Sequence, residues 1–293
     1  MTKQISIHEK ITNSIIKAME SGTAPWQKPW TGTVGGQFPL RSNGQPYRGI
    51  NILVLWMAAD VKGYSSPYWF TFKQAKDLGA SVRKSEKSQQ VVKYGTFEKE
   101  NEDTGEKTSL GYLKSYNVFN AEQIDGLPED FKNIKTDAED LGTAANPTLD
   151  AFFTDVGAQI VTTDAPRAYY SPQIDRIHMP PINTFHSANG YYGTLSHELT
   201  HWTGHAARLD RFNNDTSKQD YAFEELVAEL GACFLCSDLG LTPDFQQSAA
   251  YIESWLKALK DDPKHIFKAA TAAQKAFDLI KECAERKNQA KAA

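Results

Sequence analysis

The stretch Thr194–His205, TLSHELTHWTGH, carries two histidines four residues apart, with a glutamate directly after the first. On an α-helix, positions i and i+4 share one face, so His197 and His201 can both reach a single ion. The H-E-x-x-H pattern supplies two metal ligands and sets Glu198 where it can act as general base on an activated water. Neutral imidazoles suit zinc, and a catalytic zinc lowers the pKa of its water to about 7 while keeping one coordination position open. The competing reading is an ordinary polar face of an amphipathic helix, because five-residue matches also arise by chance. A third ligand has to decide.

His205 lies a further i+4 step along, about 6 Å up the helix from His201. At that height it suits a bond to backbone or to a nearby acid better than a place on the ion. Gly204 stands where metzincins bend the chain toward a third histidine, but the residue three further on is Ala207, which excludes that class. The next helical stretch, YAFEELVAELGACFL (Tyr221–Leu235), offers Glu225 and Glu229 one turn apart. Leu226, Ala228, Leu230 and Ala232 make their surroundings apolar, so carboxylates buried there need a cation. The pair resembles the arrangement of other zincins, in which a glutamate from such a helix is the third ligand and an acid four residues later bonds a ligand histidine. By that resemblance Glu225 is the preferred third ligand and Glu229 bonds a ligand histidine or replaces Glu225; His205 is a supporting or alternative ligand. Upstream, Arg176–Met179 resembles the edge strand that zincins carry just before the active-site helix, along which an extended peptide would lie; the other reading is a plain sheet edge. Cys233 and Cys236 have CxxC spacing, yet they fall inside a helix with no second pair and read as small buried residues.

The 293 residues are 40% hydrophobic, enough for real cores and, at about 150 residues each, for two domains. No apolar run approaches the ~20 residues of a membrane span, and MTKQISIHEK lacks the apolar region of a secretory signal. Three cysteines are too few for a disulfide framework, so the expected compartment is the reducing cytoplasm. Net charge is −4, unevenly spread: residues 1–135 carry 18 Lys/Arg against 14 Asp/Glu, residues 136–293 carry 14 against 22. Arg41–Lys99 holds ten basic and four acidic residues. Such asymmetry hints at a polyanion-binding module joined to something else.

Local signals organise the chain. Ser6 to Glu9 is a capping box opening a helix with an Ile7, Ile11, Ile15, Ala18 stripe that Gly22 stops. GINILVLWMAAD reads as a buried helix, and Thr71 opens another that ends at Gly79. QVVKYGTFE and TSLGYLKSYNVFN read as strands joined by the turn NEDTGEK. Acidic, small-residue LPEDFKNIKTDAEDLGTAANP (Leu127–Pro147) marks a linker, giving a first domain at 1–130, a linker at 131–147 and a second domain at 148–293. The second domain begins with a short helix and three strands. Helices follow over Gly193–His205, Tyr221–Leu239, Pro243 to about Lys260, and Ile266 to Arg286. Both halves are α+β.

The first half interleaves basic and aromatic residues, the pattern of rings for bases and a basic groove for phosphates. Candidate DNA contacts are Trp26, Trp30, Tyr47, Arg48, Trp69, Lys73, Lys76, Arg83, Lys84 and Lys87, the other reading being that most of the aromatics are core. PWQKPW, the run Gly44–Leu55, YWFTFKQAKDLGASVRKSEK and YNVFNAEQIDGLP resemble the N-terminal domain of ArdC-type antirestriction proteins, found also in TraC-type plasmid primases. GTLSHELTHWTGHAARLDR and YAFEELVAELGACFLCSDLG resemble the metallopeptidase domain of the same proteins. The resemblance covers nearly the whole chain. It implies a single-stranded-DNA-binding domain joined to a zincin-like domain, carried by conjugative plasmids and protecting incoming DNA from host restriction. One departure is KSEK, where related sequences more often read K-G-E-K. The implied cofactor is one divalent ion, zinc or else manganese. The implied partners are single-stranded DNA and a protein or peptide substrate, with no membrane. Two further readings stand beside this one: a DNA-binding protein with a purely structural metal, and a regulatory metallopeptidase that cuts a host protein. The oligomeric state has no signature in the sequence.

Overall fold

A computed structural model of the chain describes residues 5–21, 24–27, 37–100, 107–131, 141–212, 218–243 and 250–292. Ser6 opens α1 (Ile7–Glu20): its Oγ accepts from the Glu9 amide at 3.2 Å, and Glu9 Oε2 accepts from the Ser6 amide at 2.7 Å. This satisfies two amides that a helix start otherwise leaves unbonded. The helix closes at Ser21, one residue before the glycine expected to stop it, which lies outside the described residues. α2 (Ile50–Lys62) is buried along most of its length and stops at Gly63, whose φ of 68° is left-handed. β1 (Leu40–Arg41), β2 (Tyr68–Phe70), β4 (Gln89–Glu100) and β5 (Lys107–Asn120) form a sheet in the order β1-β2-β5-β4. β4 and β5 are a long antiparallel hairpin, in register from Gln89 opposite Val118 to Glu100 opposite Lys107. Of its expected turn, residues 101–107, Lys107 already belongs to β5 and the rest lies outside the described residues. The Asn51 side chain bonds both the amide and the carbonyl of Val92 at 2.8 Å, which locks α2 beneath β4. α3 (Phe72–Asp77) starts from a second capping box, Thr71 with Gln74. Beyond it, β3 (Ser81–Val82) pairs with β6 (Ile124–Asp125). The departure in KSEK falls on Ser85, whose φ is 71°. A non-glycine residue held there costs about 1–2 kcal/mol, a cost glycine escapes.

In the second half, Asn146 caps α4 (Pro147–Val156). Three strands follow, β7 (Gln159–Thr162), β8 (Tyr169–Ser171) and β9 (Arg176–Met179), in the order β7-β9-β8. The edge expected at Arg176–Met179 is therefore corrected. β9 is central, parallel to β7 and antiparallel to β8, so its backbone groups are already paired on both sides. Then come α5 (Ala188–Trp202), α6 (Lys218–Leu239), α7 (Ile252–Asp261) and α8 (His265–Ala292). α5 begins five residues before the expected start because Ser187 Oγ accepts from the Gly190 amide at 3.1 Å and caps it there. The helix expected from Pro243 is described only from Ile252, and residues 244–249 lie outside the described set. Cys233 and Cys236 are free and fully buried within α6, and burial pushes the Cys236 thiol up to about 12.

The chain is thus α+β in two units, but its largest core belongs to neither alone. Ile15, Leu53 and Trp56 from α1 and α2 pack in one cluster with Leu230 and Phe234 of α6, Trp255 of α7 and Ala270 of α8. Trp26 sits at the centre of this seam, fully buried and edge-on to Trp255 at 5.9 Å. Arg48 reaches across it to pair with Asp278. The stretch read as a linker is anchored where it is described. At one end Phe131 packs edge-on against Tyr68 and Phe70 at 5.0 and 5.1 Å, and at the other the Gly142 carbonyl accepts from the Ala188 amide at 2.9 Å.

Candidate metal centre

α5 and α6 run close because Gly231 leaves room for Thr200: a Cβ on Gly231 would stand 2.4 Å from Thr200 Cγ2. Thr200 is fully buried and held by the Ser196 carbonyl at 2.9 Å, so it cannot swing aside cheaply. That approach carries Glu224 and Glu225 to the histidines of α5. His197 and His201 present their Nε2 atoms 3.1 Å apart. Glu225 Oε2 lies 3.5 Å from His197 Nε2, and its Oε1 lies 3.6 Å from His201 Nε2. One ligand atom from each of the three falls within 4.8 Å of the others. A tetrahedral ion with ligands at about 2.0–2.1 Å holds neighbouring donor atoms roughly 3.3 Å apart, so two imidazoles and a carboxylate at these spacings fit one divalent cation.

The electrostatics favour positive charge at this point. Burial alone would lower the pKa of His197, but the bond to Glu225 and the charges of Glu198, Glu225 and Glu229 outweigh it and push it up to about 9. A cation bound there must displace that proton, so its apparent affinity weakens as pH falls below that value. Burial likewise works against the Glu225 carboxylate, yet its bond to His197 and the nearby histidine charges hold it below the usual range. Glu225 also accepts a hydrogen bond from the Tyr221 hydroxyl.

Glu224, absent from the sequence reading, organises the surroundings. Its Oε1 accepts from His201 Nδ1 at 3.1 Å, which orients the ring and leaves Nε2 free for the centre. Arg211 clamps the same carboxylate with Nε to Oε2 at 3.0 Å and Nη2 to Oε1 at 2.8 Å. Two more of its N–H groups donate to the Thr203 hydroxyl and the Thr200 carbonyl. A buried ion pair is tolerable when its other hydrogen-bonding groups are satisfied in this way. Glu225 has no such arginine; the histidines and the site itself must compensate it.

The other expected residues fall differently. Glu229, expected to bond a ligand histidine, accepts from Trp26 Nε1 at 2.8 Å and Gln27 Nε2 at 3.0 Å, and the histidine-bonding acid is Glu224. α5 ends at Trp202, so His205 lies in the following turn, where its Nδ1 accepts from the Ala207 amide at 3.1 Å. Glu198 is buried and lines the same cleft as His197 and His201, a cavity of about 490 Å³. β8, one of the two edges of this sheet among the described residues, lines that cleft through Tyr169 and Tyr170. Tyr170 is fixed by Asp175 and Arg208.

Among the expected DNA contacts, Trp26, Tyr47 and Trp69 are at most 9% exposed and belong to the core, so none offers a ring face to a base. Burial also pushes the Tyr47 hydroxyl up to about 12. Trp30 lies outside the described residues. Lys73, Lys76, Lys84 and Lys87 are exposed, Arg48 is tied to Asp278, and Arg83 is paired with Glu86 at 2.8 Å. Among the described residues no helix is long and apolar enough to cross a membrane.

Comparison with known proteins matches both halves. Residues 5–119 fit the N-terminal domain of anti-restriction factor ArdC, and residues 147–272 fit a zincin-like metallopeptidase family. A DNA primase TraC of Escherichia coli is 38% identical over 294 residues, covering 93% of this chain but 27% of the primase, so the chain spans about a quarter of that relative. An uncharacterized protein of Sinorhizobium fredii is 34% identical over 94% of this chain and 91% of its own length. The metal-free crystal structure of the antirestriction ArdC protein from plasmid R388 superposes with a TM-score of 0.88 at 59% identity, over 96% of this chain and 98% of that one. Its Mn(II)-bound structure gives 0.84 at 58%, over 95% and 98%. With both halves matched in order and the alignment running end to end, the chain belongs to the ArdC antirestriction family, a zincin-like metal-binding domain following the ArdC N-terminal domain.

Proposed function

We propose that this antirestriction protein binds single-stranded DNA and holds one divalent ion on His197, His201 and Glu225, with Glu198 as the general base of a peptidase-type site. The observation that carries the reading is the three-donor cluster within 4.8 Å, in a cleft that Glu198 also lines. Two imidazoles and one carboxylate suit zinc, and the Mn(II)-bound relative supports manganese as an alternative occupant. When bound, the ion supplies Lewis-acid polarisation of a carbonyl and of a water. Glu198 takes the proton of the attacking water and delivers it to the leaving amine. Glu224 keeps His201 oriented, and the Tyr221 hydroxyl steadies Glu225. Among the described residues β8 pairs only with β9, and its other side gives an extended peptide backbone partners beside the cleft.

Single-stranded DNA enters this reading through the ArdC N-terminal domain match and the TraC relatives. Binding of the entering strand hides it from restriction. The test is plasmid transfer into a restricting host. Recipients that make the protein should accept unmodified single-stranded plasmid DNA at a frequency close to that of a restriction-deficient host. Transfer that stays restricted, with folded protein present, contradicts the reading.

A further inference from the structure

Between the β4–β5 hairpin and α8 runs a groove of about 860 Å³ that the metal centre does not use. The hairpin contributes Tyr94, Tyr112 and Leu113, and Phe267 contributes from α8. Lys264, Lys268 and Lys275 form the opposite rim. Lys268 and Lys275 are two helical turns apart on α8, and Lys264 lies one turn before Lys268, so all three fall on one stripe with Thr271 and Ala272. This stripe stands in the half of the chain that carries 14 basic against 22 acidic residues, so it is a local reversal of charge.

Lys268 is held by Asp262 at 2.8 Å, whereas Lys264 and Lys275 make no ion pair among the described residues. Two lysines without an ion-pair partner beside an apolar cleft give it a positive potential that favours an anion. Tyr94 is 54% exposed. Tyr112 packs over Gly95, where a Cβ would stand 2.3 Å from its Cζ, and carries Lys114 Nζ 5.0 Å from its ring centre. At the end of the groove Arg211, already bonded to Glu224, is a wall shared with the metal cleft. Rings, apolar floor and a row of cations in one channel match the chemistry of an unpaired strand, whose bases stack while its phosphates track positive charge.

We infer that single-stranded DNA lies in this groove, built by both halves of the chain, with phosphates at Lys264 and Lys275 and bases against Tyr94 and Tyr112. The inference rests on the single-stranded-DNA reading above and adds where the strand runs: past Arg211, beside the metal cleft. The test uses the full-length protein and a fluorescent oligothymidine of about 16 nucleotides, the upper end of the site sizes of OB folds that bind single strands, followed by anisotropy across salt concentrations. Lys264→Gln with Lys275→Gln should weaken binding on the order of tenfold. It should also flatten the log–log salt dependence by about 1.4, at about 0.7 for each phosphate of a single strand that is no longer neutralised. Tyr94→Ala should weaken binding with the salt dependence unchanged. Lys73→Gln with Lys76→Gln, on the exposed side of α3, should change both quantities less. Wild-type affinity and salt dependence in the groove double variant, at equal thermal stability, overturn the groove and leave the DNA reading standing. A wild-type protein that does not bind the strand overturns both.

Discussion

Replacement of Glu198 by Gln should lower peptide cleavage by about 10²–10⁴-fold, the usual contribution of a positioned general base. Glutamine keeps the shape of the side chain, leaves His197, His201 and Glu225 in place, and removes only the proton acceptor. Metal content, thermal stability and DNA affinity should therefore match the wild type. Protection of incoming DNA should survive as well, because binding the strand suffices to hide it. Cleavage that persists within a few-fold of the wild-type rate contradicts the role of Glu198. Protection lost while metal and DNA binding remain would transfer the antirestriction effect to proteolysis of a host factor.

Trp26→Ala should cost about 3–5 kcal/mol of stability, the range for deleting a large buried aromatic. The indole is fully buried, packs on Trp255, and donates to Glu229 at 2.8 Å. Its loss opens a cavity at the seam where α1 and α2 meet α6, α7 and α8. Because both units share that core, denaturant unfolding followed by separate probes in each half should show a single transition for wild type and mutant alike. Trp26→Phe should recover most of the packing but leave Glu229 without its indole donor, at a cost of about 1–3 kcal/mol. A loss below about 1 kcal/mol for Trp26→Ala, or two independent transitions, would mean that the halves fold separately across a weak interface.

The parts of the fold that could be read in advance were those that local chemistry dictates. The capping box at Ser6, the helix start at Thr71 and the i,i+4 histidines of α5 each depend on neighbours within one or two turns. What escaped depended on long-range packing. Adjacent residues on a helix point about 100° apart, so Glu224 and Glu225 face different atoms of the His197–His201 pair, and only the rotation of α6 against α5 decides which does what. Arg211 follows α5 at a distance no spacing rule anticipates, yet it closes the polar shell around Glu224. PWQKPW shows two tryptophans between prolines and no periodicity, so nothing local separates a base-stacking ring from a core ring; Trp26 is core. β9 gains its second neighbour through a parallel pairing with β7, which turned an expected edge into a centre.

The most direct test of the metal centre compares bound divalent metal in the wild type, Glu225→Ala and Glu229→Ala, each purified and dialysed identically and analysed by inductively coupled plasma mass spectrometry. The wild type should hold about one ion per chain, since one open three-ligand site accommodates one. Glu229→Ala should keep most of it, because that carboxylate serves Trp26 and Gln27. Glu225→Ala should lose it, because the mutation removes one of the three donors. Full occupancy in Glu225→Ala, with the ion lost from Glu229→Ala instead, would contradict the assignment of the centre.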